Sequence, residues 1–256
     1  MHMSQELIWI TGASQGIGKA LALAYARAGK TVAISARHSE NLQSVAAEAA
    51  SLTGRILVLP CDVTDKNQVI SSLNQLIEQE RLPDRIILNA GTHQAMSART
   101  FSADTIAKLL KINTLGSAIP LEVLLPHYLK QGSGQIAIVA SVAGYRGLPT
   151  ASAYGASKAA LINLAESLRS ELYSSGVDIR LVNPGFVKTP LTDKNEFDMP
   201  FLISAEKAAS TIIRGLSGKR FEIVFPTPMA IAMSVLKWLP DRIFFPLINR
   251  GTGHGR

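Results

Sequence analysis

The sequence predicts a three-layer α/β fold, a parallel sheet wrapped by helices on both faces, and three observations carry that expectation. Short apolar, β-rich runs alternate with longer helical patterns along the chain, as strand–helix–strand units require. Several of these runs are apolar at every position, which suits strands covered on both sides. A glycine-rich stretch, TGASQGIG, stands between the first apolar run and the first helical pattern.

Taken in order, the expected strands are LIWI (7–10), TVAISA (31–36), RILVLP (55–60), RIILNA (85–90), QIAIVAS (135–141), DIRLVNP (178–184) and FEIVF (221–225). Helical spacing fills the gaps, most clearly over 18–28, 40–52 and 66–80. Two segments break the rhythm. KTPLTDKNEFDMPFLIS (188–204) mixes polar and apolar residues after a strand, as a mobile substrate flap would. Residues 226–250 form an apolar tail interrupted by prolines, expected to fold over a substrate cleft or an adjacent subunit. No linker, low-complexity tract or repeat interrupts the chain, so 1–256 reads as a single domain. Residues 1–3, MHM, read as a disordered start or cloning remnant.

Bulk properties narrow the function classes. The chain has 256 residues, 47% hydrophobic and 18% charged, which fits a folded protein rather than a disordered one. The net charge of +7 comes from scattered basic residues without a dense cluster, which argues against nucleic acid and fits an anionic small molecule. One cysteine, Cys61, excludes an internal disulfide and suits a reducing cytoplasm. No basic leader precedes an apolar stretch near residue 1, and no run approaches the roughly 20 apolar residues of a membrane span. A cytoplasmic location is expected, and no metal.

Two motifs carry chemistry. In TGASQGIG, Gly12, Gly16 and Gly18 permit a tight turn that lets a pyrophosphate approach the backbone, with the following helix offering free N–H groups. In AYGASKAA, Tyr154 and Lys158 stand one helical turn apart and share a face. A protonated lysine beside a phenol favours the ionised form, so the pair reads as a proton donor tuned toward neutrality. The bland alternative is a tight helix-packing site.

The glycine turn, together with NAG (89–91), Asn113, Ser141, YGASK (154–158) and PGFVKT (184–189), resembles the short-chain dehydrogenases/reductases in order and over nearly the whole chain. The resemblance implies a seven-stranded Rossmann-type sheet, a nicotinamide cofactor and reversible oxidation of an alcohol to a carbonyl. It implies Tyr154 as general acid/base and Lys158 as the group that lowers its pKa and binds the nicotinamide ribose. Ser141 would hydrogen-bond the substrate oxygen, and Asn113 would hold a water in a proton relay to Lys158. Gly12, Ser14, Gln15, Gly16, Ile17 and Gly18 would cradle the cofactor, and Asp62 with Val63 would contact its adenine. Taken alone, DVTD would instead read as a helix cap at Asp62 or Thr64. Asn89, Ala90 and Gly91 would line the cofactor groove. Pro184 and Gly185 would turn over the nicotinamide, with Val187 and Thr189 reaching its carboxamide.

Cofactor choice is read at SARHSENL. Where NAD-preferring relatives carry an acid this chain has Ala36, followed by Arg37 and His38, so NADP(H) is expected over NAD(H). Gln15 departs from the basic residue that many NADP-preferring relatives place before the second glycine. Met96, Phe101, Leu148, Leu191, Phe197, Met199, Phe201, Met229 and Trp238 suggest an apolar substrate pocket. A homodimer or homotetramer acting on a small alcohol or carbonyl is the expected assembly. Rival readings are a non-catalytic dinucleotide sensor on the same fold and a peripheral membrane reductase of lipid-like substrates, with membrane contact the lesser expectation.

Overall fold

Strand β1 (Leu7–Thr11) is LIWIT and β2 (Thr31–Ser35) is TVAIS, and every residue of both is buried. Uninterrupted apolar runs of this kind need cover on two faces, and the helices between the strands supply it. The structure, a computed structural model, describes residues 5–194 and 199–252. After β1 comes α1 (Gly16–Arg27), and after β2 come α2 (Ser39–Glu48), β3 (Arg55–Val58), α3 (Lys66–Gln79) and β4 (Arg85–Leu88). The second half runs α4 (Ala103–Leu109), α5 (Gly116–Gln131), β5 (Gly134–Val139), α6 (Ser152–Glu171) and β6 (Val177–Pro184). It closes with β7 (Val187–Lys188), β8 (Ile203–Ser204), α7 (Ala205–Leu216), β9 (Glu222–Phe225), α8 (Thr227–Trp238) and α9 (Asp241–Thr252).

Seven strands form one sheet in the order β3-β2-β1-β4-β5-β6-β9, and β7 pairs with β8 apart from it. Every pairing is parallel. Leu21, Leu42 and Ile212 are among the residues packing one face of the sheet, with Leu73, Leu124 and Leu161 among those on the other. All seven expected strands are present, but several end early. Residues 59–60, 89–90 and 140–141 lie beyond their strands, in the loops at the carboxyl edge where such sheets bind ligands.

Three expectations change. The tail, read only as apolar and interrupted by prolines, is two helices: Pro228 sits in the first turn of α8, where a missing N–H costs nothing, Pro240 falls between α8 and α9, and Pro246 lies inside α9. Second, α4 and α5 join through a π-helical turn, Leu110–Leu115, into one helix. The stretch Ala103–Gln131 is long and apolar enough by composition to cross a membrane, with a mean hydropathy of 1.2, contrary to the sequence reading. It is a core helix here, with Leu121, Leu124 and Tyr128 packed on the sheet. Third, the alternative reading of DVTD as a cap at Asp62 or Thr64 falls one residue on, at Asp65, which accepts from the N–H groups of Asn67 and Gln68. Residues 1–3 and Phe197 lie outside the described residues.

The last strand is fastened by a buried arginine. Arg180 on β6 donates from Nε to both oxygens of Asp178, at 2.9 and 2.7 Å, and from Nη2 to the Gly218 carbonyl at 2.7 Å. Its Nη1 donates to the Arg220 carbonyl, so the turn leading into β9 hangs on one side chain. Arg180→Ala strands these acceptors and is expected to lower unfolding free energy by about 3 kcal/mol, read from urea midpoints.

Candidate active site

The site begins where the sheet reverses its strand order, between β1 and β4. Thr11 ends β1 fully buried, and its Oγ1 accepts from the N–H groups of Asn89 and Ala90, at 3.0 and 3.2 Å. Asn89 replies: its Nδ2 donates to the carbonyls of Thr11 and Gly12, both at 3.1 Å. Gly12 has φ +65°, and a Cβ there would meet Ala90 Cα at 2.6 Å, so only glycine fits both the backbone and the space. The turn then enters α1 through Gln15, whose side chain makes no cap, and the first turn of α1 holds no acidic residue. The helix thus presents uncompensated N–H groups and the positive end of its dipole.

Across the switch point lies a hydrogen-bonded polar group. Asn113 is fully buried in the π-helical turn, where widened turns often serve sites. Its Oδ1 accepts from the Thr92 N–H at 2.7 Å, and its Nδ2 donates to the Thr92 carbonyl and to Ser157 Oγ, at 3.0 and 2.9 Å. Lys158 follows Ser157 on α6, and its Nζ donates to the Val139 carbonyl at 3.0 Å. A Cβ on Gly91 would sit 3.3 Å from Asn113 Oδ1 and 3.5 Å from Lys158 Nζ, so glycine keeps the space between them open.

Tyr154 and Lys158 share a face of α6 as their spacing predicts, with Lys158 Nζ 5.8 Å from the centre of the phenol ring. Ser141 lies just past β5, accepts from the Ala143 N–H at 3.2 Å and donates to the Pro184 carbonyl at 3.4 Å, with the Tyr154 phenol beside it in the same cleft. The electrostatics depart from expectation. Burial raises the Tyr154 pKa above its ordinary value, and the Ser141 hydroxyl offsets only part of that rise. Burial also brings Lys158 down to about 8. Desolvation disfavours both charges, so burial favours a protonated phenol rather than one tuned toward neutrality.

One cleft gathers Ile17, Asn89, Gly91, Ser141, Tyr154 and Lys158 with Pro184, Gly185, Val187 and Thr189. Gly12, Ser14, Gln15, Gly16 and Gly18 form the turn and helix start beside it, with Gly16 facing Thr189. Ala90 sits in the clamp and Asn113 behind Gly91. Asp62 turns its Oδ1 back to the N–H and hydroxyl of Thr64, both at 2.9 Å, while Val63 is buried against the start of α5. Arg37 and His38 are exposed just past β2, at the sheet edge that carries the turn.

Sequence reasoning missed several residues. Thr92 supplies both backbone partners of Asn113, and His93 sets its ring edge against Tyr154, centroids 4.9 Å apart at 84°. Neither stands out in GTHQ, because each acts through contacts set by the fold. Of the expected apolar lining, Leu191 reaches the cleft, and Met96 packs with Tyr154. Leu148 and Met229 pack together beside Val142. Phe101, Phe201 and Trp238 are instead exposed, because apolarity marks a residue without saying which way its element turns.

A doubly wound sheet with an uncapped, glycine-opened helix at its switch point, facing a buried Ser–Tyr–Lys cluster, defines a Rossmann-type oxidoreductase. The sequence pattern of the short chain dehydrogenases matches residues 6–199, and the chain belongs to that family. It is 33% identical over 243 residues to an uncharacterized oxidoreductase of Myxococcus xanthus, covering 95% of this chain and 96% of that protein. It is also 33% identical over 224 residues to a 3-oxoacyl-(acyl-carrier-protein) reductase of Thermotoga maritima, covering 87% and 89%. A short-chain dehydrogenase of Sphingobium yanoikuyae, solved in complex with NADPH, superposes with a TM-score of 0.80 at 26% identity, covering 90% and 91% of the two chains.

The lowered lysine pKa makes a stability prediction. The unfolded chain holds the Lys158 proton up to about its ordinary value of 10.5, while the folded protein releases it near 8. The unfolded state therefore binds more protons between these limits, and stability rises with pH there. The penalty is fully present below pH 8. Above about pH 10 the raised Tyr154 pKa acts in the opposite sense, which closes the window. Relative to Lys158→Met, the unmodified protein is expected to gain on the order of 2–3 kcal/mol from pH 8 to pH 10. Urea unfolding of both proteins across that range checks it.

Proposed function

We propose that this oxidoreductase interconverts a secondary alcohol and a carbonyl with NADP(H) as redox partner, on an apolar small molecule, and that Tyr154 is its general acid/base. The observation that carries the reading is the meeting of Ser141, Tyr154 and Lys158 in one cleft at the carboxyl ends of β4, β5 and β6. The residues present fit a dinucleotide: α1 begins without an acidic side chain, and the glycines at 12 and 91 leave room against the backbone. Gly12 to Gly18 would hold the pyrophosphate, Lys158 the nicotinamide ribose, and Val187 and Thr189 the carboxamide.

When bound, the nicotinamide would give or take hydride at the substrate carbon. The chain's own task is the proton. Reduction turns a carbonyl oxygen into an alkoxide, and the phenol of Tyr154, kept protonated by burial, is the acid within the cleft that neutralises it. Ser141 offers a second hydrogen bond to the same oxygen and stabilises charge as it develops. Lys158 stands behind Tyr154, and Asn113 holds the wall against which Lys158 is set. A sensor of dinucleotides would have no use for this buried acid, which disfavours the non-catalytic reading.

Ala36 and Arg37 support NADP(H): an acid at the end of β2 would repel a 2′-phosphate, whereas an exposed guanidinium can grip one on two sides. Exposed Leu129 on α5 and Tyr173 beyond α6 support a homodimer or homotetramer. The lone buried thiol of Cys61 supports a cytoplasmic setting.

Tyr154→Phe is expected to keep the fold and cofactor affinity while losing most turnover, about 100-fold or more, in a nicotinamide absorbance assay over a panel of carbonyls and alcohols. Near-unmodified turnover in that variant would reject the assignment. Arg37→Ala removes a charge-assisted hydrogen bond of roughly 1.5–3 kcal/mol, so NADPH affinity is expected to fall about 10- to 150-fold. NADH affinity should hardly change. Titration of both cofactors against both proteins decides; tighter NADH binding by the unmodified protein would refute the preference.

A further inference from the structure

The apolar tail divides its work between two faces. On the inner face of α8, Met229 and Met233 pack against Val142, Leu148 and Phe186, and Met229 stands behind Gly185 in the cleft wall. Arg146, five residues after Ser141, fixes the corner between α8 and α9. It donates to the carbonyls of Leu236 (3.1 Å) and Leu239, pairs with Asp241, and lies 3.8 Å over the Phe244 ring.

The outer face of α8 is a different matter. Ile231, Val235 and Trp238 stand at i, i+4 and i+7, one line along the helix opposite the methionines. They are 62%, 56% and 82% exposed. No charged residue interrupts the line. Basic residues lie on the same two helices: Lys237, with Nζ 5.9 Å from the Trp238 ring and 5.4 Å from the Tyr145 ring, and exposed Arg242 and Arg250 on α9. The one acid on the two helices, Asp241, is occupied by Arg146, and among the described residues no carboxylate pairs with the three cations.

We propose that the α8–α9 corner is a docking surface for an anionic phospholipid bilayer. In the docked state Ile231, Val235 and Trp238 enter the boundary between headgroups and acyl chains, and Lys237, Arg242 and Arg250 meet the lipid phosphates. Charge selects lipid over a second copy of the chain. A two-fold contact through this face would bring the same unpaired cations against one another, which costs affinity, whereas an anionic surface satisfies all three. Trp238 fits the same occupant, since its ring has an apolar body and a polar N–H suited to a headgroup boundary. Docking would set the cleft wall about one helix diameter, roughly 10 Å, from the lipid.

Flotation of the full chain with vesicles tests this without any turnover measurement, so it stands or falls apart from the redox reading. The vesicles are phosphatidylcholine alone, or phosphatidylcholine with a quarter phosphatidylserine. Binding is expected to the anionic vesicles at low salt and to fall at high salt. The triple variant Ile231→Ser, Val235→Ser, Trp238→Ser is expected to lose at least about tenfold in partitioning. Lys237→Gln and Arg242→Gln should each lose about fivefold. All variants sit on the surface and should keep the unmodified urea midpoint; the charge variants serve if the triple one does not. Failure to float with anionic vesicles, equal binding to neutral ones, or full binding by the variants overturns the proposal. So does a triple variant that changes only oligomer mass by light scattering, which would make the face a contact between copies.

Discussion

Everything in this molecule that handles a ligand depends on the joint between β1 and β4. A parallel sheet that reverses its winding leaves a crevice at the reversal, and the helices on either side run away from it in opposite directions. Such a gap would leave buried peptide groups without partners. Here Thr11 and Asn89 close it by exchanging side-chain hydrogen bonds with each other's backbone. The glycine turn is held from one side and Gly91 from the other. The half of the sheet that offers helix N–H groups is thereby registered against the half that offers Ser141, Tyr154 and Lys158.

The second constraint is burial. Lys158 has a single strong partner, a neutral carbonyl, and it is 4% exposed. Burying an ammonium this way is unfavourable, and the protein retains it beside a phenol that burial also holds neutral. The phenol stays neutral, and the ammonium gives up its proton near pH 8 rather than at its ordinary value. The cost borne by the resting protein is what makes the site responsive to a bound partner that carries charge.

Much of this was legible in the chain. The seven strands followed from apolar runs such as LIWIT and RIIL, because a strand buried on both faces leaves no room for alternation. Tyr154 and Lys158 were legible because helical spacing is a local rule. What was not legible depended on distant contact. The acidity of Tyr154 hung on how deeply α6 is covered, which YGASK does not encode, and desolvation outweighed the Ser141 hydroxyl. Thr92 and His93 gained their places from the π-helical turn and α6, more than 20 residues away in sequence. The tail was legible as apolar but not as two-faced, since its prolines concealed the helical period that separates Met229 and Met233 from Ile231 and Trp238.

The π-helical turn at Leu110–Leu115 has a consequence of its own. A π turn holds an extra residue relative to an α turn, so the chain on its far side is advanced by one position. Each residue of an α-helix turns about 100°. Loss of a single residue from this turn would leave an ordinary helix of nearly the same length. Leu121, Leu124 and Tyr128 could still face the sheet, while the residue at the place of Asn113 would swing toward another side. The buried amide is therefore an addition to the helix rather than a condition of it. Descendants of this fold could discard the amide, and with it the polar chain to Ser157, by one deletion that leaves the core packed.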